Sequence, residues 1–269
     1  MIQELLNRLS LMKNQMAQIE TLRKERRDLQ SKCDSLEALL AQSDYLPAPP
    51  QELRVRVGGW EEVDHFLAVG RKILWDLKRL LKPLGKDLGA FHSILDFGCG
   101  CGRVTRFLRP NVGQKVVGTD IDAESISWCN ENLRHIADFS INEALPPLPY
   151  ADRTFDFVYC ISVFTHLPED MQFAWLSELR RITKPRGIFI TSVHGQGLLP
   201  ADSRVVDDFT RHGYAYMKGE GTEGLPDYYQ TAYHSKPYVV ENWGKYFKIL
   251  DVPTRAINNQ QDGVVCQRE

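Results

Sequence analysis

The stretch SILDFGCGCGRVTRF, residues 93–107, constrains the fold of this chain more than any other. An apolar run ends in an acidic residue, three glycines follow at alternate positions, and a helix-like segment resumes at Arg103. Glycines crowded where a strand turns toward a helix let the backbone turn sharply and let a ligand come close to it. In α/β proteins that place is the carboxyl edge of a parallel sheet. The downstream chain supports such a sheet, because strand-like and helix-like segments alternate. KVVGTDI precedes a helix from Ala123, FSIN and FDFVYCIS precede a helix over PEDMQFAWLSELRRI, and GIFITSV follows. This order predicts a parallel sheet covered by helices, a Rossmann-like α/β domain.

Upstream, the chain reads differently. Residues 1–42 contain no Gly and no Pro, and Ile2, Leu5, Leu9, Met12, Met16 and Ile19 step by three and four, the spacing of a coiled-coil seam. The seam shifts near the basic cluster RKERR and continues through Leu22, Leu29 and Leu36. Such a helix would run roughly 60 Å at 1.5 Å per residue, which suits self-association into a homo-oligomer. SDYLPAPPQ then stops it, so residues 43–56 are expected to be a Pro-rich linker and 57–269 the catalytic-type domain. WEEVDHFLAVGRKILWDLKRLLKPLG opens that domain with an amphipathic face of Phe66, Leu67, Ile73, Leu74, Leu77, Leu80 and Leu81.

Composition excludes several function classes. With 43% apolar and 25% charged residues and a formal net charge of -2, the chain is globular in type and lacks the basic surplus of a nucleic-acid binder. MIQELLNRLSLMKNQ lacks the unbroken apolar core of a signal peptide, and no stretch of about twenty apolar residues offers a membrane span. Six cysteines without a CxxC pair suit a reducing compartment, so the expected location is the cytoplasm. Cys99 and Cys101 read as small loop fillers, since two thiols do not complete a four-ligand metal site.

The glycine spacing narrows the ligand. Gly98, Gly100 and Gly102 form Gly-x-Gly-x-Gly, whereas a pyrophosphate-binding fingerprint is Gly-x-Gly-x-x-Gly. Asp96 stands two residues before the first glycine, where its carboxylate suits an ammonium or sulfonium ligand better than a pyrophosphate. Asp120 should end the second strand, where a carboxylate accepts from both hydroxyls of a ribose.

At this point ILDFGCGCGRV, VVGTDID, LPYADRTFDFVYCISVFTHL and LRRITKPRGIFITSVHG together resemble the successive motifs of class I S-adenosylmethionine-dependent methyltransferases, closely over residues 93–195. The resemblance implies a seven-stranded sheet with helices on both faces, S-adenosyl-L-methionine as cofactor, and site roles by position. Asp96 would contact the methionine amino group and the backbone at Gly98, Cys99, Gly100 and Gly102 the methionyl and ribose part. Asp120 would take the ribose hydroxyls and Ile121 the adenine face. Asn142 occupies the place of the usual acidic residue that reads the adenine amino group, a departure from the pattern, with Glu143 as its substitute. Cys160 and Ser162 would lie near the transferring methyl.

Methyl transfer from a sulfonium needs alignment and, for a hydroxyl acceptor, a base. His194, past the fifth strand, and His166, past the fourth, are the candidates. An insertion over 196–238, rich in tyrosine and loosened by glycines, is placed either to close over the acceptor or to pack on the sheet edge. Neither an Asn-Pro-Pro-Tyr nor a Pro-Cys motif follows the fourth strand, and no Asp or Asn pair suggests a magnesium site. The resemblance extends to bacterial enzymes of surface-polysaccharide and secondary-metabolite pathways, which implies O-methylation of a sugar, glycan or other small-molecule hydroxyl. A carboxyl or amine acceptor, a nicotinamide-dependent oxidoreductase, and a non-catalytic scaffold retaining the cofactor fold are the alternatives.

Overall fold

The computed structural model describes residues 16, 18–26, 29–30, 32, 46–219 and 226–269. The chain divides into two units, Met1–Tyr45 and Leu46–Glu269. In the first, residues 18–26 are helical, and Ile19 and Leu22 are exposed, as are Met16 and Leu29. The remainder of the coiled coil expected over 1–42 lies outside the described residues.

Among the described residues of the second unit nine strands form: β1 (Ser93–Phe97), β2 (Lys115–Asp120), β3 (Asp138–Ile141), β4 (Phe155–Cys160), β5 (Thr183–Val193), β6 (Tyr214–Met217), β7 (Thr231–His234), β8 (Lys248–Asp251) and β9 (Asp262–Gln267). Seven make one sheet in the order β3-β2-β1-β4-β5-β9-β8, and β6 pairs with β7 in a separate antiparallel ribbon. The first five are parallel, while β9 runs antiparallel to both β5 and β8. β1 is buried at every position, as a strand covered on both faces must be. Ile94 faces one core with Phe157 and Tyr159, and Leu95 and Phe97 face the other with Val158 and Cys160.

The helices are α1 (Gln51–Gly58), α2 (Val63–Leu81), α3 (Ala123–Asn132), α4 (Glu169–Ile182) and α5 (Ser203–His212). The apolar face predicted for 66–81 is buried throughout, with Phe66 and Leu67 packing near Leu53 of α1 and Ile73 to Leu81 covering the sheet beside α3. On the opposite face α4 contributes Trp175, Leu176 and Leu179. Its first turn carries Glu169 and Asp170 and its last turn Arg180 and Arg181, the polarity that complements a helix dipole. Two aspartates fix element starts: Asp156 accepts from the backbone of His92 and Ser93 at the start of β1, and Asp122 caps α3 by accepting from Glu124 N–H.

Two expectations are corrected. No α-helix begins at Arg103; after the loop there is only a single 3-10 turn, Thr105–Phe107. Pro110 leaves too few residues for a helix, and the Thr105 hydroxyl is committed to the Asp96 carboxylate. The linker expected over 43–56 gives way to α1 at Gln51, because Leu53 finds a core and Arg54 bonds the carbonyls of Pro49 and Glu61. After the insertion the chain forms a short turn, Lys236–Tyr238, and a π-turn, Val239–Trp243. Among the described residues no helix is long and apolar enough to cross a membrane.

Candidate functional site

The glycine loop leaves β1 in a left-handed zigzag, with φ of 78° at Gly98, 52° at Gly100 and 76° at Gly102. Side chains rarely adopt that conformation. The amides of Gly98 and Cys99 both donate to the Thr119 carbonyl, at 2.8 and 3.0 Å, which ties the loop to β2. Gly100 N–H donates to Asp120 Oδ2 at 2.7 Å, and Asp122 N–H to Asp120 Oδ1 at 2.9 Å. The Asp120 carboxylate is thus held in one orientation by backbone donors from both sides of the crevice. Burial raises its pKa above the usual carboxylate value, and those amide bonds oppose the rise.

Asp96, 3% exposed, faces the same space from β1. Both of its hydrogen bonds land on Oδ2, from the Tyr159 hydroxyl at 2.6 Å and from the Thr105 hydroxyl. Burial pushes this carboxyl up to about 6, against the pull of the Thr105 and Tyr159 bonds, and the Asp120 charge pushes the same way. Two carboxylates at adjacent strand ends make the pocket attractive to a cation and to hydroxyl donors.

The pocket formed here collects Asp96, Gly98, Cys99, Gly100, Asp120, Ile121, Asn142 and Ser162 of the residues singled out in the sequence. Asn142 Nδ2 donates to the Glu143 carbonyl, while its Oδ1 is buried without a partner. Glu143 lies at the exposed mouth beside Ile141. Gly102 stays outside the pocket, packed where a side chain would meet Leu133 Cδ1 at 2.5 Å. Cys160 is fully buried in the α4-side core, because the alternation of β4 turns it away from the loop. Cys99 and Cys129 both direct Sγ toward the Gly100 carbonyl, at 3.5 and 3.6 Å, and fill the space under the loop.

His166 and His194 sit one layer behind the wall. Their rings meet edge-on at 5.9 Å, and His166 stacks on Tyr229 at 4.4 Å with its Nδ1 2.6 Å from the Gln230 carbonyl. His194 Nε2 is 3.4 Å from Gln261 Nε2, which in turn is 3.1 Å from Ser162 Oγ. Burial lowers both histidines, His194 to about 4, so both rings are neutral at neutral pH. Tyr229 and Ser162 are the groups that these histidines present to the pocket.

Sequence reasoning missed several walls. Arg56 and Val57 of α1 line the pocket, and Arg56 grips Asp122 through Nη1 at 2.8 and 2.9 Å and Glu124 through Nη2 at 2.8 Å. Only the tryptophan and basic residues flanking the prolines hinted at structure there. Tyr228 and Tyr229 bring the insertion to the pocket, with the Tyr229 hydroxyl donating to the Ser162 carbonyl at 3.0 Å. Arg103 also lines it, and its place directly after the third glycine was the available signal.

Residues 94–187 match the family described as Methyltransferase domain. The methyltransferase GfsG of Streptomyces halstedii is 28% identical over 141 residues, covering 49% of this chain and 48% of the relative. The 2-methyl-6-phytyl-1,4-hydroquinone methyltransferase of Synechocystis is 31% identical over 102 residues, covering 37% and 31%. The chain thus spans about half or less of the length of these relatives. Among solved structures, a Pyrococcus horikoshii protein superposes with a TM-score of 0.55 at 21% identity, over 79% of this chain and 93% of the other. Magnesium protoporphyrin IX methyltransferase of Synechocystis, solved with S-adenosylhomocysteine, gives 0.53 at 16% identity, over 81% and 93%. These likenesses carry the fold, and the family match carries the assignment. Residues 94–187 are thus similar to a methyltransferase domain, in the fold that the solved neighbours share.

Proposed function

We propose that the chain transfers a methyl group from S-adenosylmethionine to a hydroxyl of a small molecule or glycan, with a sugar as the specific acceptor class. The observation that carries the cofactor half is the pair of carboxylates, Asp96 and Asp120, facing one pocket across the glycine loop. The donor set fits the cofactor. Asp96 keeps Oδ1 for an ammonium group, Asp120 retains lone pairs for a ribose diol, and the buried, unpartnered Asn142 Oδ1 suits the adenine amino group with Ile121 against the ring. When bound, the cofactor supplies a methyl group already activated by its sulfonium sulfur. The protein's work is then alignment, exclusion of water and removal of one proton.

α1 on one side and Tyr228 and Tyr229 on the other cover the pocket. The acceptor end is lined by Ile161, Val163, Leu167 and Trp175 together with Ser162 and Tyr229. No carboxylate stands among these to attract an amine, which favours a hydroxyl. Neutral His166 and His194, which stand behind Tyr229 and Ser162, are the groups proposed to accept the proton. The relatives' names give hydroquinone and porphyrin acceptors to the same fold, which supports reading acceptor choice from the parts outside the sheet, here α1 and the insertion. We further propose that copies associate through the heptad pattern of residues 1–42.

The test is incubation with a deuteromethyl donor and a panel of sugars, amines and carboxylic acids, read by mass spectrometry. Labelled O-methyl sugar is expected, and Asp120→Ala should abolish both donor binding and label transfer. Transfer to amines alone would overturn the acceptor reading; donor binding without transfer to any acceptor would favour the scaffold.

A further inference from the structure

At the amino ends of β1 and β2, the other end of these strands from the glycine loop, lies a second cavity of about 470 Å³. Its floor is apolar, with Leu74, Ile94, Leu108 and Val116 all buried. Its wall carries Lys78, Lys82, Lys86 and Arg109 against one carboxylate, Asp87, which already accepts from the Ala90 amide. Lys78, Lys82 and Lys86 make no ion pair among the described residues. The dipole of α2 accounts for Lys78 and Arg79 in its last turn, but Lys82 and Lys86 lie beyond that turn. Lys78 and Lys82 also stand four residues apart, where like charges repel. A chain of formal net charge -2 therefore gathers uncompensated positive charge around one cavity.

Two exposed apolar side chains flank the cavity. Trp75, next to the lining Leu74, is 52% exposed, and Val112, next to the lining Asn111, is wholly exposed in the turn before β2. Lys72 and Arg79 lie over the Trp75 ring, 4.8 and 5.5 Å from its centroid, so a nucleic-acid base would have to displace one of them in order to stack there. Flexible ammonium groups, an amphipathic indole and an apolar cavity suit a surface that carries phosphates above hydrocarbon. We propose that this edge of the sheet docks on an anionic phospholipid surface, with a headgroup phosphate held by Lys78, Lys82 and Lys86 and its glycerol end against the apolar floor. Docking there leaves the glycine-loop end of the strands free, so the proposal stands independently of the cofactor reading.

The experiment is co-sedimentation of the full chain with vesicles of phosphatidylcholine alone and of phosphatidylcholine containing about one third phosphatidylglycerol. Wild type should sediment with the anionic vesicles only, and added salt should release it. Each cation near such a surface contributes about fivefold, so Lys78→Gln/Lys82→Gln should weaken vesicle binding by about twenty-five-fold. Both positions are exposed, and the double variant's circular dichroism melt should match that of wild type, which separates lost docking from lost folding. Equal binding to neutral vesicles, no binding to either kind, or a double variant that binds as wild type does would overturn the proposal. Tighter binding of polyglutamate or of a single-stranded oligonucleotide than of the vesicles would overturn it too, assigning the patch to an acidic protein or a nucleic acid. Soluble glycerol phosphate that binds as tightly as the vesicles would likewise overturn it, assigning the cavity to a free phosphate ester.

Discussion

Replacing Gly70 by alanine separates helix propensity from packing at the back of the glycine loop. Gly70 lies in the interior of α2, where alanine is favoured over glycine by about 1 kcal/mol. A Cβ at this position would stand 2.1 Å from the Arg103 carbonyl oxygen and 2.9 Å from Phe107 Cε2. The first contact is roughly 1 Å closer than a normal C···O approach, and its partner is backbone, which no side-chain rotation relieves. A contact this short against backbone falls in the upper part, about 2–3 kcal/mol, of what overpacking costs, so Gly70→Ala should be destabilised by about 1–2 kcal/mol after the propensity gain. Because the displaced backbone is that of Arg103, affinity for S-adenosylhomocysteine should fall as well. Urea denaturation at equilibrium measures the first effect and calorimetry the second. A variant as stable as wild type, or more stable by the propensity term alone, would refute the close packing of α2 on the loop.

Arg56→Ala removes the ion pairs that hold α1 to Asp122 and Glu124. Stability should change by only about 1 kcal/mol, as for partly screened pairs, while the dissociation rate of S-adenosylhomocysteine rises several-fold and added salt moves wild type toward the variant. Stopped-flow displacement reads this, and an unchanged off-rate would show that α1 does not close the pocket. The Asp96 carboxyl, pushed up to about 6 in the free protein, gives a pH dependence of binding. Its ionised form receives the ammonium group, so affinity is full above that value and is lost as pH falls through it, approaching a factor of about ten per unit. Calorimetry at pH 7.5 and pH 5 should show the loss in wild type, and Asp96→Asn should bind weakly with little difference between the two.

The sheet was legible because its strands are buried on both faces and read as short apolar runs between turn residues, as Ser93–Phe97 and Phe155–Cys160 do. Asp96 and Asp120 were legible for the same reason, since each interrupts a strand at its carboxyl end. The expected helix after Arg103 failed because local periodicity does not register that Thr105 turns inward to a carboxylate nine residues upstream. α1 was hidden because its prolines read as a linker, whereas Pro50 stands at its start, and its value lies in long-range pairing of Arg56 with Asp122. Cys160 was placed near the transferring methyl by the family resemblance, but strand alternation sends it to the opposite core. Arg103 was read only as the start of a helix, and the burial of its guanidinium over Trp60 appears only in the fold.

The most direct test of the cofactor assignment is titration of the purified chain with S-adenosylhomocysteine, monitored alongside circular dichroism of the same sample. Saturable binding at one site per chain, in the micromolar range and abolished by Asp120→Ala, is the predicted result. A folded protein that takes up no heat-detectable S-adenosylhomocysteine, or an Asp120→Ala variant that binds it as wild type does, would contradict the assignment of this pocket to the methyl donor.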